Sequence, residues 1–158
     1  MRYNIITPEQ VVAMAFSDGE YVASEVISEA DIDTAIARWV KPIVGEALLE
    51  AVAGGSYETL CVELLQPAVA CAVRLFVQPR LNASTSQMGL TVAVGSHQKA
   101  ADESLRESHL RALRMRTRTA LYSLSEYLQA HGAEFKEYNP KENVLNRCSC
   151  NGGFVQIF

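Results

Sequence analysis

Apolar side chains recur at helical spacing along most of this chain, and turn residues separate the periodic stretches. These patterns predict four helices, at residues 8–16, 29–53, 57–78 and 98–130. Thr7 and Gln10 are spaced for a capping box at the start of the first helix, where Pro8 suits the first helical position. The sequence therefore predicts a mostly α fold, a bundle of about four helices.

The second helix has the clearest pattern, running from a cap at Ser28 to a glycine pair at Gly54 and Gly55. Pro42 lies in its middle and has no backbone N–H, so we expect a kink or a break near Arg38. The predicted core of the bundle consists of Trp39, Ile43, Leu64, Leu75, Leu113 and Leu124.

The third helix is apolar around nearly its whole circumference, so it should lie at the centre of the fold or pack partly against another subunit. Ser56 is its predicted cap, Pro67 predicts a bend, and Pro79 marks its expected end. Four residues interrupt the apolar stretch from 60 to 77: Glu63, Gln66, Pro67 and Arg74. We therefore expect no membrane span.

Two segments lack helical periodicity. Residues 82–96 are polar and then alternate between two glycines, which predicts a mobile loop with a small strand or hairpin. After Gly132, which should end the last helix, residues 133–158 form a predicted extended C-terminal tail. The predicted organisation is thus a helical domain at 1–132 followed by this tail.

Composition narrows the class of protein. With 158 residues, of which 49% are hydrophobic and 20% charged, the chain should fold as one domain. The net charge of −4 argues against a general attraction to nucleic acid. The N-terminus has no apolar run of the kind that a secretory signal needs, so cytosol is the expected compartment.

Candidate chemistry is sparse. His97, His109 and His131 are scattered and lack the spacing of a helical zinc site. Cys148 and Cys150 are separated by one residue and have no second pair, which favours free thiols over a metal site. We predict no catalytic residue, no cofactor and no metal.

The densest charge feature is a group of arginines on the last predicted helix: Arg106, Arg111, Arg114, Arg116 and Arg118. Arg111, Arg114 and Arg118 form one exposed row, while Glu103 and Glu107 are spaced to pair with Arg111. The row predicts a solvated or subunit-pairing face. The alternative is a small helical nucleic-acid-binding or regulatory protein that contacts phosphates through the Arg106–Arg118 face.

The end of the tail is the second candidate surface. Its five residues are apolar and rich in strand formers, and left in water they would expose two aromatic rings and two branched aliphatic side chains: Phe154, Val155, Gln156, Ile157 and Phe158. We expect this end to dock, either on its own helices or as a strand on a neighbouring subunit or partner.

The order of elements resembles that of the head–tail connector (adaptor) proteins of long-tailed phages. The resemblance rests on residues 5–12, on the capped helix start at 27–36, on the glycine-ended run 51–55 and on the apolar helix 60–77. It covers about residues 5–130. The polar loop is often shorter in that family, and the segment from 133 onward has no counterpart.

The resemblance implies a structural protein without catalysis. Identical subunits would form a ring beneath the portal of a phage or prophage capsid, in contact with the portal and with tail-completion proteins. DNA would pass through the channel without sequence-specific binding, and no membrane would be involved. The expected location is the head–tail junction of the virion, and the host cytoplasm during assembly. The expected subunit or portal interface comprises Arg111, Arg114, Arg118, Phe154, Val155, Ile157 and Phe158.

Overall fold

The structure, a computed structural model, describes residues 3–17, 20, 22–81, 84–86, 89–91, 102–151 and 154–157, and gives only the backbone at 84–86, 89–91, 148–151 and 154–157. Its α-helices are α1 Pro8–Ala15, α2 Glu29–Ala35, α3 Lys41–Val44, α4 Glu46–Ala53, α5 Glu58–Leu60, α6 Gln66–Leu81 and α7 Glu103–Ala130. Short 3₁₀ turns lie at Ser24–Val26 and Val144–Asn146. The prediction of a mostly α fold is confirmed.

Two small antiparallel hairpins accompany the helices. β1 (Ser84–Ser86) pairs with β2 (Gly89–Thr91), with Thr85 opposite Leu90, so the small hairpin predicted within residues 82–96 is present. β3 (Cys148–Asn151) pairs with β4 (Phe154–Ile157), with Cys150 opposite Val155.

Both long helical runs contain a π-helical segment at the same distance before a proline. Ile36–Val40 lies between α2 and α3, and Cys61–Leu65 lies between α5 and α6. Pro42 and Pro67 have no N–H, and the residue before each donates one residue further back than in an α-helix: Lys41 to the carbonyl of Ile36, and Gln66 to that of Cys61. The kink expected near Arg38 and the bend expected at Pro67 are both π turns.

Several helix boundaries differ from the predictions. Gly45 divides the second predicted helix. Its φ of +86° is not helical, and residues other than glycine rarely adopt it. Ser56 is not the N-cap of the next helix. The N-cap is Tyr57, whose backbone lies in the left-handed region at φ 59°. Helix α7 begins at Glu103 rather than near 98, because Asp102 is extended and accepts a hydrogen bond of 2.8 Å from the Leu105 amide.

Pro79 does not end α6, which continues to Leu81. A proline this close to the end removes a single backbone bond. The Arg80 side chain also holds the last turn of α6 in place. Arg80 donates to both carboxylate oxygens of Asp31, at 3.1 and 2.8 Å, and to the carbonyl of Val26 at 2.8 Å.

Helix α6 is the centre of the fold, as predicted, and packs against α1, α2 and α7. Val69, Val73 and Val77 are fully buried on it. By length and composition the run Glu58–Leu81 would pass as a membrane span, the one such helix among the described residues, although the interruptions in its sequence led us to expect none. Because 61% of its most apolar window is buried inside the fold, it has the surroundings of a core helix.

Only part of the predicted core is buried. Ile43, Leu113 and Leu124 are buried as predicted. Trp39, Leu64 and Leu75 are only half-buried, and Trp39 and Leu64 pack against the outside of the core.

The predicted extended tail is not extended over residues 133–147. Phe135 and Tyr138 are buried in the hydrophobic core, and Asn143 is fully buried. Burial of the two aromatic side chains and the three hydrogen bonds of the Asn143 side chain favour packing over exposure to water. Sequence composition alone did not reveal this packing.

Candidate functional site

The main concave surface beside the predicted arginine row is an apolar groove of about 320 Å³ between α3, α6, α7 and the segment after it. Its lining is mostly half-buried and apolar or aromatic: Trp39, Ile43, Leu75, Thr117, Leu121, Tyr122, Val144 and Leu145, with Arg114 and Arg118 at the edge. We refer to this set as the groove. Two residues predicted as core, Trp39 and Leu75, line it.

Guanidinium groups surround the aromatic part of the groove. Arg118 lies over the Tyr122 ring, with 5.4 Å from its guanidinium carbon to the ring centroid, and donates to the Tyr122 hydroxyl at 3.4 Å. Arg38 lies over the Trp39 ring at 4.8 Å. Arg114 makes no ion pair with any residue that the structure describes. The groove is therefore a positively charged apolar site on a chain whose net charge is negative.

One wall of the groove is fixed by a buried asparagine. Asn143 donates to Ser125 Oγ at 2.8 Å and to the Tyr138 hydroxyl at 2.9 Å, and its oxygen accepts from the Leu145 amide at 2.9 Å. These bonds hold the 3₁₀ turn Val144–Asn146 against α7, so Val144 and Leu145 stay at the groove edge.

The same segment is attached a second time, at the start of α5. The Tyr57 ring meets the Phe135 ring edge-on at 5.0 Å, and its hydroxyl donates to Glu137 at 2.6 Å. That hydrogen bond raises the pKa of Tyr57 and lowers the pKa of Glu137. The contacts offset the unfavourable left-handed backbone at Tyr57.

Arg116, unlike the arginines beside the groove, contacts the end of α1. It donates to the carbonyls of Ala15 and Met14, both at 3.3 Å, at the C-terminal end of α1. Arg74, which is 4% exposed, donates to the same Ala15 carbonyl, pairs with Glu20 at 2.5 Å and lies over the Phe16 ring. Both arginines therefore neutralise the negative end of α1, and the predicted cluster contains one structural member.

Only two of the three arginines of the predicted row line the groove. Arg111, Arg114 and Arg118 are all exposed, and Arg114 and Arg118 line the groove while Arg111 lies about one turn before Arg114 on the same helix. In the described part of α7, no ion pair joins Glu103 or Glu107 to Arg111, so the expected pairing is absent. What the sequence missed is the aromatic floor, whose members are distant along the chain.

The side chains of the other predicted interface residues are not among those that the structure describes. Phe154, Val155 and Ile157 belong to β4, of which the backbone alone is described, and Phe158 lies outside the described residues. The side chains of Cys148 and Cys150 are likewise not described, while Cys61 and Cys71 are free. Among the described residues, no group of three or more His, Cys, Asp or Glu side chains is placed to hold a metal ion.

The first ten residues of α7, 103–112, have no buried side chain, although buried positions recur from Leu113 onward. Leu105 and Met115 are 60% and 61% exposed. About 15 Å of amphipathic helix thus borders the body without being enclosed by it.

The protein is mostly α, and an apolar groove edged by two arginines lies on its surface. The chain belongs to the family of unknown function DUF6712, whose sequence profile matches residues 23–147. That match includes every residue that lines the groove. No curated protein and no solved structure matches the chain.

Proposed function

We propose that this chain is a structural assembly protein, a head–tail connector (adaptor) subunit that forms a ring beneath the portal of a long-tailed phage or prophage and lines the DNA exit channel. It would contact identical subunits, the portal and tail-completion proteins at the head–tail junction of the virion. Such a subunit acts by binding and requires no catalytic residue, cofactor or metal.

The observation that carries this proposal is the groove. It joins half-buried apolar and aromatic side chains to Arg114, which makes no ion pair within the described part of the chain, and this is the composition found at the centre of protein interfaces. A site of about 320 Å³ has room for a few side chains of a partner. The first part of α7 is poorly enclosed, and Leu105 is exposed on it. This gives the chain further apolar surface that an assembly could cover.

The test is reconstitution with the portal protein encoded in the same phage or prophage genome. We expect the co-expressed proteins to co-purify as one complex, and ring-shaped particles with the portal at one end in electron micrographs. The free chain need not form rings alone, since a portal can act as template. A chain that folds but does not bind its cognate portal would contradict the proposal.

A charge-reversed pair of variants makes the test specific. Arg114→Glu with Arg118→Glu should weaken complex formation, whereas the matched reversal Lys136→Glu with Lys141→Glu, at exposed lysines outside the groove, should leave it unchanged. If the chain instead bound duplex DNA with affinity that falls steeply with salt, the alternative of a nucleic-acid-binding protein using the Arg106–Arg118 face would replace the connector proposal.

A further inference from the structure

A second exposed surface carries the charge opposite to that of the groove. Glu58, Val62 and Glu63 are all exposed at the start of the central helical run, and Val62 is 49% exposed. Neither glutamate makes an ion pair with another residue that the structure describes. We call these three residues the acidic ridge.

The acidic ridge is complementary to the groove in charge. The ridge has an exposed apolar side chain and two carboxylates, and the groove has an apolar floor beside two guanidinium groups. Glu58 and Glu63 are five residues apart and Arg114 and Arg118 four, which separates the glutamates by roughly 7.5 Å and the arginines by roughly 6 Å along their helices. With Val62 in the groove, attraction between the carboxylates and the guanidinium groups would favour the contact.

Within one chain the two surfaces do not meet. Val62 and Leu75 lie on the same helical run, and the thirteen residues between these positions correspond to roughly 20 Å of helix. The ridge of a given copy therefore cannot fill its own groove.

We propose that copies of this chain bind head to tail, with the acidic ridge of one copy in the groove of the next. Because the two surfaces differ, the contact is heterologous, and repetition gives a ring or a filament rather than a two-fold dimer. This inference rests on the proposed function, to which it adds the residues that join neighbouring subunits.

Site-specific photo-crosslinking tests the contact directly. A photoreactive amino acid replaces Val62 in the full-length chain, and in a matched control it replaces Val26, which is similarly exposed at 42%. Both proteins are irradiated at high concentration and in complex with the cognate portal. We expect covalent multimers from position 62, with mass spectrometry placing the linkage on Trp39 or on residues 114–122 of another copy, and few or none from position 26.

Charge exchange supplies an independent readout. Glu58→Arg with Glu63→Arg, or Arg114→Glu with Arg118→Glu, should reduce assembly at least about tenfold, because like charges then face each other. Combining all four substitutions in one chain should restore assembly, since each copy then presents a basic ridge and an acidic groove. All four side chains are exposed, and circular dichroism confirms that each variant folds.

The outcomes separate this inference from the proposed function. Rings on the portal without a crosslink from position 62 to the groove, or without rescue by the fourfold variant, would overturn the head-to-tail contact and leave the connector function standing. A crosslink from the groove to the portal, or to β4 of another copy, would also overturn it by naming a different occupant. Absence of any ring or portal complex would overturn both.

Discussion

Asn143 is the residue whose removal tests most directly how the groove wall is held. It is 0% exposed, and its side chain makes three hydrogen bonds, to Ser125, to Tyr138 and from the Leu145 amide. Replacement by alanine removes all three, and among the partners Ser125 Oγ keeps a hydrogen bond from Gln129 at 3.2 Å. At a net value of about 1 kcal/mol for each bond, Asn143→Ala should lower the free energy of unfolding by about 3 kcal/mol.

The chain provides a matched control at Asn139. This asparagine lies in the same segment and also makes two local hydrogen bonds, to Glu142 at 2.9 Å and from the Lys141 amide at 3.2 Å, but it is exposed to water. Because water replaces both bonds, Asn139→Ala should cost less than about 1 kcal/mol.

Equilibrium urea unfolding followed by circular dichroism measures both values. Hydrogen exchange adds a local readout, since the Leu145 amide loses its acceptor in Asn143→Ala and should exchange faster, while amides in the middle of α6 should be less affected. If Asn143→Ala cost no more than Asn139→Ala, or if exchange at Leu145 were unchanged, the account of how residues 133–147 are held would be wrong.

Two further predictions concern stability. Leu124→Ala, at a fully buried position of α7, should cost about 2–5 kcal/mol in thermal or urea unfolding, whereas Leu105→Ala at an exposed position should stay within about 0.5 kcal/mol of wild type. At Asp31, burial alone would raise the pKa, but hydrogen bonds from Arg80 and Ser28 outweigh it and hold the pKa below its ordinary value of 3.8. The charged form is therefore the stabilising one. Asp31→Asn should cost about 1 kcal/mol at neutral pH and converge on wild type as pH falls below 3.8, so a constant difference across pH would contradict this assignment.

Local chemistry along the chain was sufficient to predict the helices and several of their starts. The capping box predicted at Thr7 is present, with the Thr7 amide donating to Gln10 at 2.9 Å. The cap predicted at Ser28 is also present, and the Ser28 amide donates to Asp31 at 2.9 Å, which makes it a second capping box. The two prolines correctly predicted irregular helix, because the loss of a backbone donor acts within one turn. The prediction of one helix over residues 29–53 missed the break at Gly45, and the prediction that Pro79 marks a helix end was wrong, since whether a glycine breaks a helix or a proline ends it depends on the neighbouring elements.

The arginine cluster of α7 illustrates the boundary between the two levels. Helical spacing correctly placed Arg111, Arg114 and Arg118 on one exposed face. It gave no means of separating Arg116, because the carbonyls that Arg116 binds belong to α1, about a hundred residues earlier in the chain. A side chain acquires a structural role of this kind only when distant segments meet.

The sequence by itself determined the helical class, the central position of the most apolar helix and the exposed arginine row, because periodicity and residue type act over a few turns. Only the tertiary structure decided that residues 133–147 pack on the bundle and that Trp39 and Leu75 line a groove instead of filling the core. Both depend on which surfaces remain uncovered once α3, α6 and α7 have packed, and the hydrophobic pattern of a single segment does not contain that information.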